Sequence, residues 1–155
     1  MLLIPRTTFL LAVAALALLS FTSCDEVKPV LKVAFILGPD GTFQVDGKDY
    51  KDYRVSVTQG MLQYGDKKAT ISVSLETEGG QTANCSFYIF DAFQFNVYQV
   101  QGEHAIPLNA TKNANGCTMW ATVSEPSDYH VVIQDHDDYG HTFEGRIYVT
   151  YWEMK

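Results

Sequence analysis

Residues 69–76 read ATISVSLE, with apolar and polar side chains in strict alternation. Successive side chains of a strand point to opposite faces, so Ile71, Val73 and Leu75 share one face and Ser72, Ser74 and Glu76 the other. A helix would scatter the same apolar side chains around its circumference, so this pattern belongs to a half-buried strand. Residues 53–58 alternate in the same way. Val33, Phe35 and Leu37 begin an earlier strand that is expected to end at Gly38-Pro39-Asp40-Gly41. Residues 42–45 then run into Asp46-Gly47, a strong tight-turn pair. Gly65-Asp66 and Gly79-Gly80 mark further breaks. In the second half, strands are expected over residues 84–90, 93–100, 116–123, 129–134 and 142–152. No segment shows a convincing helical period, and neither a fixed-period repeat nor a low-complexity linker is present. Short strands at this spacing predict an all-β fold: one antiparallel β-sandwich of roughly seven to nine strands.

The first residues follow a different rule. A short polar stretch with Arg6 precedes the apolar run FLLAVAALALL at residues 9–19. That run is short of the roughly 20 residues a membrane-spanning helix needs. Its length and position suit the core of a secretory signal peptide. Small or polar residues and Cys24 come next. Phe21-Thr22-Ser23-Cys24 resembles the lipobox of bacterial lipoproteins, in which the cysteine is diacylated and becomes the mature N-terminus. Asp25-Glu26 resembles the export signal of Bacteroidetes surface lipoproteins. In other bacteria an aspartate at this point resembles an inner-membrane retention signal, which leaves the leaflet open. The resemblance implies a signal peptide over residues 1–23, a lipidated Cys24 with a short tether over 24–29, and a β-domain over 30–155. It also implies a lipid-anchored protein of the bacterial cell envelope, with the outer membrane preferred. Two or more acyl chains make such an anchor stable, at ~0.8 kcal/mol per buried methylene.

The chain carries a formal net charge of −7, and residues 1–23 contribute only Arg6 to it. An acidic domain lacks the basic footprint that nucleic-acid binding requires. If Cys24 carries lipid, Cys85 and Cys117 remain as an even pair in an oxidising setting. Both lie in the apolar phase of their strands, Cys85 with Phe87 and Ile89, Cys117 with Met119, Ala121 and Val123. A disulfide crossing the sandwich core is expected there, contributing about 3–4 kcal/mol on the chain-entropy model. Two buried free thiols are the other possibility. The placement resembles immunoglobulin-like domains, although no tryptophan lies between the two cysteines here.

Two constellations are candidates for function. Asp135-His136-Asp137-Asp138-Tyr139-Gly140-His141 places carboxylates at alternate positions before a glycine. Asp135 and Asp137 would offer oxygen to Ca2+, and His136 and His141 would add nitrogen for a transition metal. Tyr139 and Arg146 stand where a calcium loop wants oxygen ligands. The plain reading is a solvated hairpin loop rich in turn-forming Asp. The second constellation is aromatic. In the phase opposite to the core lie Tyr88, Phe90, Tyr98, Trp120, Tyr148 and Trp152. Rings facing solvent from a sheet suit sugar stacking or a protein interface. A one-residue slip in phase would turn all of them inward. No GxSxG, HExxH or phosphate-binding glycine loop is present. The expected role is therefore non-enzymatic binding, with an envelope protein or an extracellular glycan as partner. A small envelope enzyme or enzyme inhibitor, and a structural envelope subunit, are the competing classes.

Overall fold

The computed structural model describes residues 27–155. Cys24 and the segment expected to be a signal peptide lie outside the described residues. Eight strands follow in the order β1 (Pro29–Val45), β2 (Tyr50–Val57), β3 (Ala69–Thr77), β4 (Cys85–Asp91), β5 (Asn109–Ala114), β6 (Gly116–Val123), β7 (Ser127–Asp135) and β8 (His141–Met154). One α-helix, α1 (Ala92–Gln101), separates β4 from β5. The strands form two four-stranded sheets, a front sheet in the order β1-β8-β3-β6 and a back sheet in the order β2-β7-β4-β5. All the ladders are antiparallel.

The all-β sandwich is as expected, but its wiring is not immunoglobulin-like. The chain crosses between sheets at every connection except β4 to β5, and each sheet holds strands distant in sequence. That wiring is the eight-stranded jelly roll. The inner faces meet in one core. Ile71, Val73, Ile147 and Val149 of the front sheet pack toward Val55, Phe87, Ile89, Val131 and Ile133 of the back sheet, all of them buried. The period-two pattern of β3 therefore does what its sequence implies.

Three other local expectations change. Residues 93–100 are not a strand but the body of α1. The Asp91 carboxylate accepts a hydrogen bond from the Gln94 amide at 2.7 Å and caps the helix. Phe95 and Tyr98, one turn apart, are its buried residues, while Phe93 is 70% exposed. The turn expected at residues 38–41 does not end a strand. β1 runs through it as a bulge, with register shifts against β8 between Phe35 and Leu37 and between Leu37 and Gly41. The short polar strand β5, NATKNA, carries no alternation and was not expected at all. Asp46-Gly47 does turn, closed by Asp49 N–H donating to the Asp46 carbonyl at 3.1 Å.

Candidate functional site

The outward face of the front sheet is the candidate binding surface. The registers place Phe35 opposite Tyr148, Tyr148 opposite Ser72, and Ser72 opposite Trp120. These four residues form one row across all four strands, ~14 Å long at the usual strand spacing. Trp120 is 61% exposed and Phe35 52%. The Phe35 and Tyr148 rings are 5.8 Å apart. The Arg146 guanidinium lies 5.6 Å from the Tyr148 ring centre, close enough for cation–π attraction that holds the ring in place.

A hollow flanks the row on each side. One, about 350 Å³, is lined by Leu31, Thr70, Thr122, Thr150, Trp152, Asp66 and Lys68 among others. Its floor is a threonine rank, in which the Thr70 and Thr122 hydroxyls lie 3.4 Å apart. Gly65, at φ 67°, leaves the room that the Trp152 ring occupies, and a side chain there would collide with it. The other hollow, about 510 Å³, is lined on the opposite side of the row by Ser74, Glu76, Thr118, Glu144 and Gly145 among others. Aromatic rings thus stand between ranks of hydroxyls and carboxylates.

The six aromatics expected on a solvent face divide into two groups. Trp120, Tyr148 and Trp152 belong to the front face, with Trp152 and Tyr148 half-buried. Tyr88, Phe90 and Tyr98 do not face solvent. They are buried in a second core between the back sheet and α1, with Phe95, Ala105 and Val132. β4 reads CSFYIFD because it is covered on both faces, by the front sheet and by the helix. Tyr98 donates from its hydroxyl to the Gln134 side chain at 3.0 Å, which satisfies it under the helix. Phe35, Leu31 and Val33, exposed on β1, were not singled out as site residues. Their signal was the alternation of β1 itself.

The Asp/His loop closes the sandwich where β7 hands over to β8. The His141 Nδ1 lies 2.7 Å from an Asp135 carboxylate oxygen, both residues being buried. Asp137 N–H donates to the other Asp135 oxygen at 2.9 Å. The Asp137 carboxylate accepts from Asn84 N–H at 2.9 Å and lies 3.7 Å from His141 Nε2. His136 is not with them. It is pulled to the helix side of the sheet, where its Nε2 lies 2.8 Å from the Ser86 hydroxyl. Cys85, directly opposite Asp135 in the ladder, takes its place. The group that forms therefore carries sulfur and nitrogen beside oxygen, unlike a calcium loop.

Cys85 and Cys117 are both free and buried, so the expected bridge is not formed. The shared apolar phase put both on inner faces but could not bring them together. Cys85 packs at one end of β4 against Asp135, and Cys117 sits on β6 opposite Leu75. Burial pushes both thiols from 9.0 up to about 12, and the Asp135 and Asp137 charges push Cys85 the same way. A thiol so held is no nucleophile at neutral pH, whatever histidine stands near it. Both thiols are expected to resist alkylation in the native protein at pH 8 and to react on unfolding. The folded state keeps thiol protons that the unfolded chain releases above about pH 9, so the thiols' contribution to stability is constant below that point. It should fall as pH rises from about 9 to about 12. Urea titrations across that range test it, and a flat profile would show that the thiols are not shielded.

An eight-stranded jelly-roll sandwich with an aromatic row on one open sheet face is the class of protein that fold and site define. No protein-family model matches the chain, and no curated protein matches it. Some solved structures are distantly similar to it. A mitogen from Yersinia pseudotuberculosis is 8% identical over 80% of this chain and 86% of that one, with a TM-score of 0.42. A Bacillus protein of endospore appendages, disulfide-linked pili, is 13% identical over 85% and 95%, with a TM-score of 0.44. A low-affinity xylan-binding module from Roseburia intestinalis is 16% identical over 84% and 91%, with a TM-score of 0.37. These likenesses carry no argument about the function of this chain.

Proposed function

We propose that this chain is a non-catalytic carbohydrate-binding domain, held at the bacterial envelope by lipid on Cys24. The observation that supports the reading is the row Phe35–Tyr148–Ser72–Trp120 lying open across the front sheet. Sugar rings have apolar faces and polar edges. Flat aromatic rings offer the first a stacking surface, and the adjoining hydroxyls of Ser72, Thr70, Thr122 and Thr150 offer hydrogen bonds to the second. The carboxylates of Glu76 and Glu144, paired across β3 and β8, would accept from further sugar hydroxyls. Pre-formed sheet geometry keeps the ordering cost of binding low.

The test is retention on a panel of soluble and insoluble polysaccharides, by affinity electrophoresis and pull-down. The wild type should be retained by at least one class. Trp120→Ala and Tyr148→Ala should each weaken that binding about tenfold or more, a loss of ~1.4 kcal/mol or greater. Trp120→Ala should change folding stability by less than about 0.5 kcal/mol, because the residue is mostly exposed and belongs to no core cluster. Retention unchanged by both substitutions, or no retention on any polysaccharide, would end the glycan reading.

One observation favours a second reading, an envelope protein as partner. Leu31, Val33 and Phe35 make an exposed apolar stripe on β1, an edge strand of the front sheet. An open edge with an apolar stripe is a surface that another chain can cover. Crosslinking in native membranes, followed by purification, would then recover one specific protein, lost in Leu31→Glu and retained in Trp120→Ala. In either reading Cys24→Ala should move the protein from the membrane fraction to the soluble fraction.

A further inference from the structure

We propose that Cys85, Asp135 and His141 form a binding site for a transition-metal ion of the zinc class, with Asp137 orienting the histidine. The three donors come from three strands and both sheets. Cys85 opens β4, Asp135 ends β7, and His141 opens β8. Their ligand atoms lie within 4.8 Å of one another. Cys85 and Asp135 are 0% exposed and His141 3%. Zinc bonds of about 2.0–2.3 Å in a tetrahedron put donor atoms ~3.5 Å apart, so small rotamer shifts close the site.

The donor set decides the metal. Thiolate and imidazole select zinc and its neighbours, whereas calcium and magnesium want oxygen alone. The surrounding bonds fit the same assignment. Asp137 N–H holds one Asp135 oxygen at 2.9 Å and leaves the other facing His141 Nδ1. A metal would enter between that oxygen and Nδ1, in place of the hydrogen bond that joins them. The imidazole proton then moves to Nε2, toward the Asp137 oxygen 3.7 Å away. A carboxylate behind a metal-bound histidine fixes its tautomer and orientation. Asn84 N–H in turn holds Asp137. Starting from a thiol and a neutral imidazole, the Cys85 thiol gives its proton to solvent, the imidazole keeps one, and one proton is released per ion. Three protein ligands leave a fourth position to water. An ion there would tie β4 and β7 of the back sheet to β8 of the front sheet at one end of the sandwich.

Cobalt(II) is the probe, because thiolate ligation gives it a charge-transfer absorption that oxygen and nitrogen ligands do not. Metal-stripped full-length protein is titrated with Co2+ both as the folded protein and during refolding, since the site is buried. One equivalent should bind with the thiolate band, release one proton, and be displaced by Zn2+. Cys24→Ala and Cys117→Ser should keep the band. Cys85→Ser should abolish it, and Asp137→Asn should weaken binding tenfold or more. Ca2+ should not compete. Absence of a thiolate band in the wild type under both conditions would overturn the proposal. So would a band that survives Cys85→Ser. Should Cys85→Ser fail to fold, the band in the wild type and in the two other cysteine variants still decides which sulfur is bound. None of these readouts involves carbohydrate.

Discussion

Gly145→Ala is expected to destabilise the domain by about 3–5 kcal/mol, placing it among the most damaging single substitutions available. Gly145 lies in the middle of β8 at φ 141°, a conformation that side-chain-bearing residues rarely adopt. A Cβ there would fall inside contact distance of the Ser74 carbonyl oxygen and 3.0 Å from Leu75 Cα. Both obstacles are backbone of β3, which is flanked by β8 and β6 inside the front sheet. Neither can swing aside as a side chain would. Relief requires parting β3 from β8 at the Leu75–Gly145 pair, which loosens the buried residues on either side, Phe143 and Ile147. Backbone strain alone accounts for ~1–3 kcal/mol, and lost ladder and packing for the remainder. Gly38 is the control. Nothing lies within 4 Å of a Cβ built there, so Gly38→Ala should stay within about 0.5 kcal/mol of wild type. Urea denaturation of the two variants gives the comparison directly. Equal midpoints would mean that β8 relaxes at the bulge and that the front sheet is softer than its packing implies. Gly145 also lines the larger hollow beside the aromatic row. A milder loss of order at this point should therefore appear as weakened ligand binding before unfolding does.

What the sequence disclosed follows from how local each signal is. ATISVSLE could be read because one face of β3 is buried and the other open, so the alternation survives. Trp120 and Tyr148 were placed outward for the same reason, on strands with one open face. Alternation misleads where a strand is covered twice. Tyr88 and Phe90 occupy the outward phase of β4, but α1 lies on that face. The helix itself was hidden because Phe93, Phe95 and Val97 alternate like a strand. The signals that identify it are the Asp91 cap and the Phe95/Tyr98 spacing of one turn. The meeting of Cys85, Asp135 and His141 is set by register between distant strands. Asp135 and His141 lie within the local Asp/His motif, but no local pattern encodes the arrival of Cys85, and His136 of the same motif is sent to the other face. The jelly-roll wiring is likewise a property of long-range pairing.

Asp135→Ala, measured in chelator so that no ion contributes, is expected to cost about 3–5 kcal/mol. The carboxylate is fully buried, and each of its oxygens has a donor. His141 Nδ1 lies 2.7 Å from one oxygen and Asp137 N–H 2.9 Å from the other. Removing it leaves the buried His141 Nδ1 and the half-buried Asp137 N–H without their partner, and each unsatisfied buried group costs roughly 1–3 kcal/mol. It also releases Asp137, whose contacts with Asp135 and Asn84 hold the turn from β7 to β8. His141→Gln keeps an amide in the same space and should cost about 1–2 kcal/mol, consistent with the loss of one charge-assisted bond. Chemical denaturation of both variants checks the order. A different outcome is informative because burying a carboxylate is expensive, and an apolar replacement is sometimes neutral or stabilising. If metal-free Asp135→Ala is as stable as wild type, the Asp135–His141 pair contributes nothing to folding. A costly buried group that does not hold the fold is then kept for what it binds. In that case the stability lost on substitution should appear only when the ion is present, as the difference between the zinc-loaded proteins.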